Sequence, residues 1–108
     1  MEVGRFYFKQ TVNKNLIGEF SNSGTKQNFT ESADVIKSGE PFIGEYLSTY
    51  QEDSVTYLTR LKIEYKVETA NRIYSLSWVD INRKFAFKGE GFLVDNILIG
   101  DYQSIPVE

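Results

Sequence analysis

Apolar and polar residues alternate with a period of two along most of this chain. The clearest run is Val55 to Glu68, where Tyr57, Leu61, Ile63, Tyr65 and Val67 fall on one side and Arg60, Lys62, Glu64, Lys66 and Glu68 on the other. A strand with one dry face and one wet face has this pattern. Similar alternation predicts strands from Gly4 to Val12, Leu16 to Phe20, Phe42 to Gln51, Ile73 to Val79, Lys84 to Leu93 and Ile97 to Ser104. Between them lie Asn13-Lys14-Asn15, Glu52-Asp53-Ser54, Thr69-Ala70-Asn71-Arg72, Asp80-Ile81-Asn82 and Val94-Asp95-Asn96. Short polar side chains that tolerate positive φ suit such tight turns. One link is longer, running through the polar segment from Asn22 to Glu40. Within it, Thr30 as cap, Ala33, Ile36 and Lys37 on one side and Gly39 as terminator predict a short helix from Glu31 to Lys37. A connection of that length in a small domain is usually a functional loop, a lid or a mobile segment.

Seven strands joined mostly by short turns pair as an antiparallel meander, and a twisted meander tends to close on itself to hide its edges. The expected fold is therefore all-β: an up-and-down barrel of about seven strands in one domain spanning residues 1–108. Its alternative is a half-open sheet completed by a homodimer through a sheet edge.

Three strands carry nearly the same pentad: Leu16-Ile17-Gly18-Glu19-Phe20, Phe42-Ile43-Gly44-Glu45-Tyr46 and Leu98-Ile99-Gly100-Asp101-Tyr102. Alternation puts the first residue, the glycine and the aromatic on one face, and the isoleucine and the acid on the other. Gly18, Gly44 and Gly100 are thus predicted to be structural, each bending a strand or admitting a neighbour's ring. The functional alternative makes them the floor of a pocket walled by Phe20, Tyr46 and Tyr102.

Composition narrows the chemistry. Eight Phe, seven Tyr and one Trp in 108 residues favour strands and a core that needs no disulfide or metal. Cysteine is absent, which removes thiol catalysis, and so is histidine, the commonest general base and metal ligand. A net charge of −3 disfavours nucleic acid and anionic membrane as partners. Arg60, Lys62, Lys66 and Lys84 are interrupted by Glu64 and Glu68, so they read as a solvated face rather than a basic stripe. Gly89-Glu90-Gly91 lacks a third glycine and a following helix, so no phosphate-binding cofactor loop is indicated. No cofactor and no metal site are expected. The amino-terminal residues Met1-Glu2-Val3-Gly4-Arg5 do not read as a secretion signal, so the cytoplasm is the expected location.

Three features together resemble the calycin group of barrels, the lipocalins and avidins. They are a glycine followed two places on by an aromatic, Trp78 ending an alternating strand, and the Gly89-Glu90-Gly91 strand leading through Asp95-Asn96 into Leu98 to Tyr102. The resemblance covers roughly the last two thirds of the chain, and it implies a cup that binds a small apolar or amphipathic ligand.

The expected function is accordingly a binding or interaction module for a small apolar ligand. The wall would be formed by Tyr46, Tyr74, Trp78 and Tyr102, joined by Phe20 and Phe87, around a connected void of a few hundred Å³, within the range of small-molecule sites. Two other classes stand beside it. One is a cofactor-free enzyme on the same scaffold, with Glu19, Glu45 or Asp101 as base and tyrosines moving protons. The other is a structural oligomerisation module.

Overall fold

The computed structural model describes residues 2–24, 27–66 and 72–107. Its strands are β1 (Val3–Gln10), β2 (Leu16–Asn22), β3 (Phe29–Ser38), β4 (Gly44–Glu52), β5 (Val55–Tyr65), β6 (Tyr74–Asp80), β7 (Ala86–Val94) and β8 (Ile97–Ile105). Each pairs antiparallel with the next, and β8 returns to β1 to close the barrel. Both edges are consumed in closure, so a contact between two copies has the outer wall rather than a strand edge to work with.

The ring holds eight strands, one more than the alternation predicts. The additional strand is β3, which occupies the segment read as a polar link with a short helix. Phe29, Glu31 and Ala33 are buried, while Thr30, Ser32 and Asp34 are exposed. The ladders to β2 and β4 give this backbone partners on both sides, which outweighs the helical bias of a capping Thr. A register shift between Val35 and Lys37 lets the strand bend at Ile36.

The strand predicted to start at Phe42 starts at Gly44 instead. Phe42 has a positive φ of 69° and lies in the connection before β4. Its backbone N–H donates to Gln10 Oε1 at 3.2 Å, and its carbonyl accepts from Tyr46 Oη at 2.8 Å. Thus anchored, the ring is buried and meets Tyr74 edge-on, with centroids 6.4 Å apart. Phe42 closes that end of the barrel. The hairpins at Asp53-Ser54 and Asp95-Asn96 have positive φ at both central residues, the geometry that matches strand twist. Most of the predicted turn Thr69-Ala70-Asn71-Arg72 lies outside the described residues.

The interior is one continuous cluster from Phe6 and Phe8 through Leu61, Ile63 and Leu76 to Leu98 and Tyr102. On the outer wall, Phe92 pairs with Ile99 and Ile99 with Tyr7, next to Val94, Ile97 and Ile17 in the neighbouring row. The glycines of the pentads stand where strands approach closely. A Cβ at Gly100 would lie 1.9 Å from the Glu90 carbonyl oxygen, one at Gly18 1.9 Å from that of Tyr7, and one at Gly44 2.3 Å from that of Lys37.

Gly100→Ala must push β8 from β7, because the clash is with backbone rather than with a movable side-chain tip. A loss of about 2 kcal/mol or more is expected in urea unfolding. Gly24→Ala, whose nearest neighbour would be 3.5 Å away, is expected to be neutral. Equal stability of the two variants would contradict this account.

Candidate functional site

The two ends of the barrel differ. Phe42 closes one. The other lies where β1, β3, β5 and β7 begin and β2, β4, β6 and β8 end, and it opens into a cavity lined by six aromatic rings, those of Phe6, Phe20, Tyr50, Trp78, Phe87 and Tyr102. Glu31 lies among them, and Glu2 and Glu52 stand at the strand ends beside the opening.

Small residues make room for the large ones. The Trp78 indole lies over Gly89 of β7, where a Cβ would come within 3.1 Å of the ring. From there its Nε1–H donates to Glu31 Oε2 at 2.9 Å. Ser48, on the strand next to β3, donates its hydroxyl to the same oxygen. Tyr102 lies over Gly4, where a Cβ would approach its ring and hydroxyl within 2.5 Å, and Tyr102 Oη donates to the Ser21 carbonyl at 3.0 Å. Neighbouring rings meet nearly at right angles: Phe6 and Trp78 at 76°, Phe20 and Tyr50 at 81°, Phe87 and Tyr102 at 89°. Edge-to-face contacts of this kind hold each ring by its neighbour. Beside Ser48 in the ladder is Thr59, whose Oγ1 is the only buried side-chain polar atom without a partner among the described residues.

Glu31 is 6% exposed. Burial pushes its carboxyl up from the usual 4.5 to about 7, against the two hydrogen bonds from Ser48 and Trp78, which favour the ionised form. The Tyr50 and Tyr102 hydroxyls are pushed up as well, first by burial and then by the carboxylates of Glu31, Glu52 and Glu2. Both therefore remain protonated. Glu2 is raised by burial and by Glu52. Asn22 Nδ2 donates to Glu52 Oε2 at 3.0 Å and so fixes that carboxylate at the opening.

Of the six ring residues expected to form a wall, Phe20, Trp78, Phe87 and Tyr102 come together here. Tyr46 and Tyr74 do not line this cavity. They pack near the closed end, Tyr46 bonded to the Phe42 carbonyl and Tyr74 against Tyr65 with centroids 5.1 Å apart. Glu19, Glu45 and Asp101 share the outer face, and Glu19 accepts from Tyr7 Oη. None of the three lines the cavity. The interior acid is Glu31, which stands on β3 and not on the helix expected from Glu31 to Lys37. Its signal was the alternation of Phe29, Glu31, Ala33 and Val35, with a carboxylate in an otherwise apolar set.

The expected connected void of a few hundred Å³ is not found among these rings. Unfilled space around the mouth amounts to about 350 Å³ when the part open to solvent is included, and the water-accessible part is about 30 Å³. That is room for one or two waters. An eight-stranded barrel has an interior that side chains can fill, and here aromatic rings fill it.

Glu31 makes stability depend on pH. Its folded pKa is above its unfolded value, so the native state holds the extra proton between about pH 4.5 and 7. The stability contributed by the neutral form is complete below that window and is lost as pH rises through it, by roughly 3 kcal/mol. Urea unfolding at about pH 5 and pH 8 is expected to show this loss in the wild type and to show it largely abolished in Glu31→Gln. Parallel pH dependence in the two proteins would refute the assignment.

Comparison of the chain with protein-family models, with curated proteins and with solved structures returns no match.

Proposed function

We propose that this protein is a small ligand-binding barrel, calycin-like in style, that takes an apolar molecule at its open end. The observation that carries the reading is the difference between the ends. One is sealed by Phe42, and the other presents six aromatic rings around a water-sized chamber that opens to solvent. Rings held edge-to-face by their neighbours form a preorganised wall, so a ligand that stacks there need not order them first. The ligand occupies the mouth rather than a deep central cup, because the interior beyond Glu31 is packed.

Trp78 is the sole tryptophan, and its indole N–H lies in this site. Titration with indole, a small uncharged apolar probe, should move that single indole resonance saturably in a ¹H–¹⁵N spectrum, together with backbone signals of Phe20, Glu31, Tyr50 and Tyr102. Shifts confined to the outer wall, or none at millimolar probe, would reject the reading.

A further inference from the structure

We infer that the molecule held in this mouth is an organic cation, an ammonium group on an apolar body, with the Glu31 carboxylate as its counter-ion; the inference rests on the proposed binding at the open end.

Hydrogen bonding at Glu31 is lopsided. Both of its donors, Ser48 and Trp78, converge on Oε2, and Oε1 has no donor among the described residues. The residue is more than nine-tenths buried and lines the cavity. Because Thr59 Oγ1 is the only fully buried orphan among the described residues, Oε1 retains access to the cavity, where an N–H from a ligand can take the place of water. Size agrees, since about 30 Å³ of open space takes a group the size of water or ammonium and no more. A larger apolar body would lie outward of it, against Phe20, Tyr50 and Tyr102.

Charge selects among the donors a ligand could offer. Among the described residues no lysine or arginine lines the cavity, whereas Glu2 and Glu52 stand with Glu31 around it. An anionic ligand, such as a fatty carboxylate, would face the three carboxyl groups of Glu2, Glu31 and Glu52 and no cation of the described residues. Aromatic rings attract cations through their π faces, and six rings line this cavity. A carboxylate within an aromatic cage discriminates a cation from an uncharged isostere, which aromatic burial alone does not do.

Binding then bears on the proton at Glu31. The groups facing it are the donors Ser48 and Trp78, the neutral tyrosines Tyr50 and Tyr102, and the rim acids Glu52 and Glu2. A cation at Oε1 favours the ionised carboxylate, so binding near neutral pH should release a proton. Calorimetry in buffers of different ionisation enthalpy reads that release directly.

The test uses three ligands with one ring and three head groups: 2-phenylethylammonium, 2-phenylethanol and 3-phenylpropionate. Read at the Trp78 indole resonance at about pH 8, the ammonium should bind about tenfold tighter than the alcohol, the scale of one charge-assisted hydrogen bond, and the propionate most weakly. In Glu31→Gln the ammonium should lose that advantage over the alcohol, and a dispersed ¹H–¹⁵N spectrum shows that the variant is folded. If the wild type binds ammonium and alcohol equally, or if Glu31→Gln keeps the preference, the cation assignment is overturned and the mouth remains a binding site for neutral molecules. If neither indole nor any of the three moves the resonance, the binding site itself is overturned. The wild-type series decides even if the variant does not fold.

Discussion

Closing eight short strands into a ring leaves an interior about as wide as the side chains that point into it, and every other feature here follows from that limit. The sixteen buried residues of the apolar cluster must share the lumen, and several of its large rings have room only where a glycine faces them. Trp78 lies over Gly89 and Tyr102 over Gly4, while Gly91 and Gly100 face each other across β7 and β8. Each glycine gives up a side chain so that a neighbouring strand or ring can come close. The same crowding explains why the mouth offers a water-sized chamber and not a cup.

Within that packed space Glu31 is the exception to apolar filling. A carboxyl buried among rings loses hydration, and its two hydrogen bonds recover only part of that loss. The balance falls near neutrality, so either protonation state is accessible at modest cost. Ser48 and Trp78 act as positioning residues: their shared bond to Oε2 orients the carboxyl and leaves Oε1 toward the opening rather than toward another donor. The aromatic wall thus serves packing and electrostatics together, since the ring that fills the lumen at Trp78 also supplies the N–H that holds the acid.

Much of the fold was legible from alternation alone. The antiparallel meander, the barrel and the Asp53-Ser54 and Asp95-Asn96 hairpins all follow from period-two patterning and turn chemistry. Phe42 was misplaced because its pentad imitates the other two, although its job is to bend inward at a positive φ and seal an end. At the site, Phe20, Trp78, Phe87 and Tyr102 could be found as large rings on neighbouring strands. Tyr46 and Tyr74 meet the same description, but position along the barrel axis depends on strand stagger, which a sequence does not display.

The missed strand and the missed acid have one cause. β3 reads as a polar segment because its inward series places a carboxylate between Phe29 and Ala33, where a core strand should carry a hydrophobe. Replace that glutamate by leucine in thought and the alternation is plain, and the strand would be recognised at once. Local consistency between pattern and fold is the general condition for a sequence to specify one structure, and departures from it concentrate where function is built. Glu31 costs stability in the ionised form and adds nothing to packing that a leucine could not supply. Its presence inside a barrel too small to waste space is the strongest physical reason to look for function at this end.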